Sequence, residues 1–424
     1  MKKNINQILD NENNIKIYFL PWLIVLSFLL RLIAVYFYRD TDLYSSNVNE
    51  WNILLENLIK YKSLTFYSFN GELIPSVIVP PMYAFFLYLV KVVTSFDEPG
   101  LLYLVTFIQI LMSTYSIYLF YQINQNFFSN KLSLINSVIF SIIPVNVIIC
   151  GQISSITLQI VFSLLFLKFL FLVIGKSTNK NIFIFSMVSG LLILTRGEFL
   201  LVFSFILFFI FIKKKIKLIN LTKILIVVVL VISPYVTRNY MHFDEIFIVK
   251  SLGYNLWKGN NQLSSVGGYQ NFGFGELERT EFIELKKKII NLKKNKYYEI
   301  NRDNIFLDEA IYNLSENPIQ YFKLFLKKIF SYYFFDINSN YPNYFNFFHI
   351  VPIVILSLLS FPGLFIFYKV NKFENKCLGL YLLLNLIIFS IFFILPRYKL
   401  VILPVQIILA TYFIGYIVKK FKRF

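Results

Sequence analysis

Residues 197–217 read GEFLLVFSFILFFIFIKKKIK, an apolar run that is followed at once by four lysines within five positions. A run of roughly 20 apolar residues is what a helix needs to cross the hydrocarbon core of a bilayer. Lysines directly after such a run are typical of the cytoplasmic side of a membrane. This stretch therefore predicts both a membrane-spanning helix and the side of the membrane on which that helix ends.

The composition of the whole chain is that of a membrane protein. Of its 424 residues, 57% are hydrophobic, 19% are aromatic and only 15% are charged, and the mean hydropathy is +0.64. An ordinary soluble domain has roughly 25% charged residues, and a disordered chain is poor in aromatic residues. A soluble globular enzyme and a disordered protein are therefore excluded. The net charge of +18 indicates membrane topology, since basic loops stay in the cytoplasm, and we expect no nucleic-acid partner.

Apolar runs recur along the chain and predict an all-α polytopic membrane protein with a bundle of about ten transmembrane helices. The predicted spans are residues 17–38, 100–122, 132–149, 154–174, 180–195, 197–212, 219–236, 347–368, 377–395 and 399–418. The basic clusters at both chain ends and between the sixth and seventh spans fall on one side if both termini are cytoplasmic. The first run is too long for a cleaved signal peptide, so we expect it to span the membrane.

Two segments then remain on the outer side, residues 39–99 and residues 237–346. Within the first segment, residues 47–61 are amphipathic, and residues 80–96 are apolar but too short for a span. These two stretches predict two helices lying at the membrane surface. The chain is accordingly divided into a transmembrane module with a catalytic first loop (1–236), an external domain (237–346) and C-terminal transmembrane helices (347–424).

Three arginines lie on the outer side, against the usual distribution of positive charge. They are Arg196, Arg238 and Arg397. A guanidinium binds phosphate through paired hydrogen bonds, so these residues predict an anionic ligand at the outer surface. The alternative is that each arginine snorkels or pairs with a neighbour such as Glu198. Arg31, inside the first span, has the same two interpretations.

Carboxylates in the first loop are candidates for a general base. Asp40 and Asp42 follow the first span and Glu50 begins an amphipathic helix, so each could deprotonate an acceptor hydroxyl at the membrane surface. The alternatives are an ion pair with Arg39, a helix N-cap, and a favourable interaction with a helix N-terminal dipole. The two cysteines and two histidines are too few and too scattered for a metal motif, although a carboxylate pair could recruit a divalent cation.

Five short motifs are distinctive in combination. They are Pro80-Pro81-Met82-Tyr83, Leu194-Thr195-Arg196-Gly197-Glu198, Pro234-Tyr235-Val236-Thr237-Arg238-Asn239-Tyr240, Gly253-Tyr254-Asn255-Leu256-Trp257-Lys258-Gly259-Asn260-Asn261, and Arg397-Tyr398-Lys399 with Pro404. With them the chain resembles membrane glycosyltransferases of the GT-C superfamily, of the family 39 type that includes protein O-mannosyltransferases and the aminoarabinose transferase acting on lipid A. The resemblance covers residues 17–418, with weaker support from Glu316-Asn317-Pro318, Tyr321 and Lys327-Lys328.

The resemblance implies a transferase in the bacterial cytoplasmic membrane. Its donor would be a polyprenyl-phosphate sugar. Its acceptor would be a glycan, lipid or protein at the outer face, and the sugar would be transferred with inversion at the anomeric carbon. A first-loop carboxylate would be the base, and Arg196 and Arg397 would hold the lipid phosphate. The other substrate-binding residues expected from the motifs are Tyr398, Arg238, Asn239, Trp257, Asn260 and Asn261, and among them Trp257 and Tyr398 could stack on a sugar ring.

The chain departs from the family pattern at two places. The position of the family's first-loop acid falls near Asn47, so either Asp42 or Glu50 takes its role or the chain lacks the base. The start of the fourth span, after Gly151-Gln152-Ile153-Ser154-Ser155, also lacks the acid that many members carry. Three other functions therefore stay open: a transporter or flippase of a lipid-linked or anionic substrate, a polysaccharide polymerase or ligase, and an inactive structural member of the family.

Overall fold

The computed structural model describes residues 19–38, 48–69, 71–97, 99–269, 277–336, 347–370 and 372–421. In this part of the chain the secondary structure is almost entirely helical, with one two-stranded sheet. The all-α membrane class predicted from the composition is confirmed.

The helices are numbered here in chain order. They are α1 (Phe19–Tyr38), α2 (Val48–Tyr61), α3 (Met82–Thr94), α4 (Gly100–Asn124), α5 (Asn130–Ile142), α6 (Pro144–Ile148), α7 (Ile156–Gly175), α8 (Asn179–Thr195), α9 (Phe199–Ile212), α10 (Leu218–Phe243), α11 (Leu252–Gly259), α12 (Ile283–Ile290), α13 (Tyr298–Glu316), α14 (Pro318–Tyr333), α15 (Phe347–Lys369), α16 (Phe373–Ile391) and α17 (Leu403–Phe421). The strands are β1 (Thr65–Phe69) and β2 (Glu72–Pro75), and 3₁₀ turns cover Ile149–Gly151, Thr280–Phe282 and Pro396–Val401.

Among the described residues, seven helices are long and apolar enough to cross a membrane, and the bent pair α5 and α6 gives an eighth candidate. The seven are α1, α4, α7, α10, α15, α16 and α17. The helices α8 and α9 are apolar but shorter, with 17 and 14 residues. Each of the ten predicted runs thus contains one of these helices, and the chain is a multi-pass membrane protein.

The third predicted span, residues 132–149, is not one continuous helix. Its two parts, α5 and α6, meet at an angle of 69°, because Pro144 has no backbone N–H and forces Ile143 into an extended conformation. Arg31 explains how the bend is tolerated in an apolar setting. Its fully buried guanidinium donates to Ser113 Oγ (2.8 Å) and to carbonyl oxygens on both sides of the bend. Arg31 therefore has partners within the protein, which supports the second of its two interpretations over binding of an anionic ligand.

The first loop contains more structure than its apolar pattern predicts. The two expected surface helices are present as α2 and α3, and between them β1 pairs with β2 as an antiparallel hairpin that the sequence reading did not predict. Gly71 in the connecting turn has φ +83°, a conformation that favours glycine. The hairpin and both helices form one folded unit, residues 48–97, here called the hairpin lobe. Whether α2 and α3 lie at the membrane surface stays a prediction.

The second long loop is also largely helical. Helix α10 runs on to Phe243, so the predicted boundary at residue 236 falls inside it and Arg238 lies on its last turns. The helices α11 to α14 then form a second unit, here called the helical lobe. Its core is aromatic: the ring of Trp257 lies 4.8 Å from that of Phe306 and 5.1 Å from that of Phe282, between centroids.

Candidate functional site

Two arginines from distant parts of the sequence meet at one tyrosine. Arg196 caps the end of α8, and Arg397 and Tyr398 lie in the turn Pro396–Val401 that precedes α17. The guanidinium carbon of Arg196 lies 5.0 Å from the centroid of the Tyr398 ring, and that of Arg397 lies 6.0 Å from it. Both distances are within the range of a cation–π interaction. The structure therefore brings together three of the predicted site residues, here called the arginine cluster.

Arg196 is only partly neutralised by its surroundings. Its Nε donates to Gln159 Oε1 (3.0 Å) on α7, and its NH1 lies 3.7 Å from Glu198 Oε1. The Arg196 and Glu198 side chains are 18% and 27% exposed, so water reaches both. The pairing with Glu198 is therefore present, as the alternative interpretation predicted. Guanidinium groups such as those of Arg196 and Arg397 are suited to binding an anion.

The turn that carries Arg397 and Tyr398 is anchored to the helical lobe. Lys399 Nζ donates to the carbonyl oxygens of Tyr333 (2.6 Å) and Tyr332 (3.4 Å) at the end of α14, and also to that of Phe334. A cation is favourable at a helix C-terminus, where backbone carbonyls lack partners. Tyr332 in addition donates its hydroxyl to the Tyr398 carbonyl (3.1 Å). The end of α14 therefore fixes the position of the arginine cluster.

Arg238 connects α10 to the hairpin lobe, and Asn239 connects α10 to the segment that follows it. Arg238 NH1 donates to the Ser76 carbonyl (3.0 Å) and to Asn239 Oδ1 (2.7 Å), and its NH2 donates to the Leu64 carbonyl (3.4 Å). Asn239 is fully buried and donates to the Phe247 carbonyl (3.0 Å). The structure therefore gives Arg238 a role in placing the hairpin lobe and Asn239 a role in holding the chain after α10.

The motif at residues 253–261 joins the helical lobe to the end of α16. Asn260 Nδ2 donates to the Ile391 carbonyl (2.9 Å), and the buried Lys328 donates to the Gly259 carbonyl (2.8 Å) and to Asn260 Oδ1 (3.0 Å). Asn261 donates to the Trp257 carbonyl (3.1 Å). The Trp257 side chain is 0% exposed, so it cannot stack on a sugar in this conformation, contrary to our expectation. We assign this motif to packing and leave it out of the binding site.

The overall architecture has counterparts among solved structures. No protein-family model matches the chain, and no curated protein sequence matches it. The archaeal oligosaccharyltransferase AglB from Archaeoglobus fulgidus, in complex with an inhibitory peptide and a dolichol-phosphate, matches with a TM-score of 0.55 over 95% of this chain, at 14% identity. The Archaeoglobus fulgidus enzyme tethered to an acceptor peptide with the NVT sequon matches with a TM-score of 0.55 over 96% of this chain, at 15% identity.

The fold of this chain is similar to that of these archaeal oligosaccharyltransferases. The apo form of the Archaeoglobus fulgidus enzyme matches as well, with a TM-score of 0.53 and 15% identity. The chain spans about half the length of these structures, covering 51% of the first two and 52% of the third. At this level of identity the likeness establishes the shared fold, and the chemistry has to be argued from the residues of this chain.

The described residues include only one of the three candidate bases. Asp40, Asp42 and the non-acidic Asn47 lie outside the described residues. Glu50 is in the first turn of α2 and is exposed, as expected for a carboxylate near a helix N-terminus. In the described ranges no group of three or more His, Cys, Asp or Glu side chains could hold a metal ion.

Sequence reasoning missed a buried carboxylate between the two lobes. Glu299, at the start of α13, is 2% exposed, and its Oε2 accepts hydrogen bonds from Val77 N (2.7 Å) and Ser76 Oγ (3.1 Å) of the hairpin lobe. Asp303, one turn later, accepts from the backbone N–H groups of Gly253 and Tyr254. The sequence does contain a signal for their burial: Glu299 and Asp303 are four residues apart and therefore share a helix face with the apolar Phe306. Glu299 therefore joins the helical lobe to the hairpin lobe, and Asp303 joins α13 to α11 within the helical lobe.

Burial makes the contact through Glu299 pH-dependent, because it raises the pKa of this carboxyl from 4.5 to about 7. The folded protein binds this proton more tightly than the unfolded chain does. The stability it contributes is therefore complete below pH 4.5 and is lost as the pH rises through 7. The expected loss is on the order of 3 kcal/mol. In Glu299→Gln we expect the apparent melting temperature to depend less on pH between 5 and 8, measured by thermal denaturation in detergent.

Asp308→Asn is the matched control for Glu299→Gln, because Asp308 is an exposed carboxylate on the same helix. It should keep the pH dependence of the wild type. Equal slopes of melting temperature against pH in the wild type and in Glu299→Gln would contradict the assignment.

Proposed function

We propose that this protein is a glycosyltransferase that moves a sugar from a polyprenyl-phosphate donor to an acceptor at the outer face of the bacterial cytoplasmic membrane. The observation that carries the proposal is the arginine cluster, two guanidinium groups held on one tyrosine ring in a chain of the GT-C fold. The match to an oligosaccharyltransferase solved with a dolichol-phosphate supports a lipid-linked donor. Both termini would be cytoplasmic.

The arginine cluster suits a phosphate group that gains negative charge. As the bond between the sugar and the phosphate breaks, charge develops on the phosphate oxygens, and preorganised cations there lower the barrier. Arg196 is held by Gln159 and Arg397 by the anchored turn, so neither has to reorganise during the reaction. The Tyr398 ring lies beside both guanidinium groups, and we propose that it forms part of the surface that binds the first sugar.

The transfer step needs a base on the acceptor side. The acceptor hydroxyl gives its proton to a carboxylate, its oxygen bonds to the anomeric carbon, and polyprenyl phosphate leaves with the electron pair of the broken bond. We propose Asp42, Glu50 or Asp40 as that carboxylate, from their place in the first loop. The acceptor would be a glycan, a lipid or a protein, and the surrounding membrane lipid would hold the donor chain.

The proposal is tested with purified protein and a radiolabelled pool of polyprenyl-phosphate sugars. Asp42→Asn, Glu50→Gln and Asp40→Asn are assayed separately, and one of them is expected to lower transfer by about a hundredfold or more, the usual contribution of general base catalysis. Glu72→Gln, an exposed acid of the hairpin lobe, is the matched control and should transfer normally. Wild-type turnover in all three variants would exclude Asp42, Glu50 and Asp40 as the base.

The same assay separates transfer from transport. A transporter or flippase leaves the bond between sugar and phosphate intact, so label that remains lipid-linked in every sample would overturn the proposed enzyme activity. Repeating the assay with EDTA decides whether a divalent cation takes part.

A further inference from the structure

Helix α14 turns its apolar side outward. Its exposed residues include Ile319, Phe322, Leu326 and Phe330, whose spacing of 3, 4 and 4 places them in one stripe along the helix. Their exposed fractions lie between 48% and 71%. A helix in water buries such a stripe against the core, so this arrangement requires an apolar covering that the described residues do not supply. The four residues are here called the α14 stripe.

The opposite side of α14 is already packed against the protein. Tyr321, Lys328 and Tyr332 are buried there, and Lys328 makes its two hydrogen bonds to the end of α11. The buried side therefore carries a lysine and two tyrosines, while the stripe on the outward side is apolar. This is the reverse of a helix at a water-exposed surface, and it is the pattern of a helix that contacts lipid.

The α14 stripe continues into a surface that faces lipid. The ring of Phe330 lies 4.7 Å from that of Phe334, which lies 5.8 Å from that of Phe361, and Phe361 lies 5.8 Å from Phe365, all between centroids. Phe361 and Phe365 are exposed on α15, a helix of membrane-spanning length. An unbroken row of aromatic rings therefore leads from α14 onto the lipid-facing side of a span.

The end of α14 is level with the interior of α15 rather than with its tip. Ser357 Oγ donates to the Tyr333 carbonyl (2.9 Å), and Ser357 lies ten residues after Phe347, where α15 begins. Ten helical residues rise about 15 Å, and a hydrocarbon core is about 30 Å thick. If the whole of α15 crosses the membrane, the last turn of α14 lies at the depth of the acyl chains.

Polar groups along one edge of α14 complete the amphipathic pattern. Lys323 and Lys327 are exposed and line an open cleft of about 600 Å³ together with Gln320 and Glu316. Lysines beside an apolar stripe extend their ammonium groups toward anionic headgroups while their methylene chains stay on the apolar side. The lysine edge and the α14 stripe therefore fit the headgroup and acyl layers of one leaflet.

We propose that α14 is embedded in the bilayer leaflet on its side of the membrane, with the α14 stripe against acyl chains and the lysine edge at the headgroups. The partner of this surface is membrane lipid. The inference rests on exposure and packing alone and does not depend on the proposed activity. It places lipid directly beside the helix whose end anchors the arginine cluster.

The proposal is tested on the full chain in lipid nanodiscs, with both buried native cysteines replaced by alanine. Nitroxide labels are placed by Phe322→Cys and Leu326→Cys on the stripe and by Gln320→Cys and Lys327→Cys on the polar edge. Stripe labels should relax with oxygen, which dissolves in acyl chains, and not with a water-soluble nickel chelate. Labels on the polar edge should relax more with the nickel chelate and less with oxygen than the stripe labels do. Nickel access at the stripe, or access by neither reagent, would overturn the proposal, because the stripe would then face water or protein.

A second measurement covers the case in which a labelled variant does not fold. Phe322→Trp is a small change at an exposed position, and Gln320→Trp is its matched partner on the polar edge. In nanodiscs with brominated acyl chains, fluorescence should be quenched more in Phe322→Trp than in Gln320→Trp. Equal quenching in the two variants would reject the embedding of α14.

Discussion

Arg196→Ala and Arg397→Ala are each expected to lower sugar transfer by about a hundredfold or more, the usual cost of removing one preorganised group that stabilises developing charge. The reason is geometric: both guanidinium groups lie within 6.0 Å of the Tyr398 ring, and we propose that both bind the same phosphate. Arg196→Lys and Arg397→Lys keep the charge but lose the paired hydrogen bonds, so they should recover only part of the activity. The measurement is transfer of radiolabelled sugar from polyprenyl phosphate.

Arg279→Ala is the control for this pair, because Arg279 is an exposed arginine of the helical lobe outside the cluster. It should transfer at the wild-type rate. The double variant Arg196→Ala/Arg397→Ala should lose less than the product of the two single losses, because both residues act on one phosphate. If either single variant elutes normally in size-exclusion chromatography and keeps full activity, the arginine replaced in it does not bind the lipid phosphate.

Apolar run length predicts where this chain crosses the membrane but not how each crossing is built. A run of apolar residues looks the same whether its helix is continuous or bent, so the break at Pro144 emerged only from the structure. The sequence does not predict the hairpin of β1 and β2, because strands of five and four residues are too short to show a clear alternation of apolar and polar residues. Helix α10 extends past its apolar part, since hydrogen bonds of Arg238 to the hairpin lobe and of Asn239 to the segment after α10 replace burial in lipid as its support.

The candidate site, too, is predictable from the sequence only in part. Arg196 and Arg397 are predicted because charge on the unexpected side of a membrane requires an explanation, and Tyr398 because its motif adjoins Arg397. The fold does bring the three together. The asparagines and the tryptophan of residues 253–261 were expected at the substrate because their motif is distinctive. A distinctive motif can equally reflect a demanding packing arrangement, and the hydrogen bonds of Asn260 and Asn261 are of that kind. Glu299 was missed because only tertiary structure buries it.

Gly259→Ala is expected to destabilise the protein strongly and to reduce sugar transfer with it. A Cβ atom at this position would lie 2.0 Å from the carbonyl oxygen of Phe392 and 2.5 Å from its carbonyl carbon. The clash is with backbone just after α16, so no side chain can rotate away, and α11 would have to move. Overpacking of this kind costs about 3 kcal/mol or more. We expect a lower melting temperature in detergent, together with lost transfer at temperatures where the wild type is active.

Gly175→Ala is the matched control, because the same methyl group would meet nothing within 4 Å there. It should leave both melting temperature and transfer unchanged. The link between stability and activity follows from the chain order: Phe392 is followed within a few residues by the turn Pro396–Val401 that carries Arg397 and Tyr398. Displacing α11 therefore moves one support of the arginine cluster. A Gly259→Ala protein that melts like the wild type would mean that the two backbones can separate, and that the motif does not hold the helical lobe against α16.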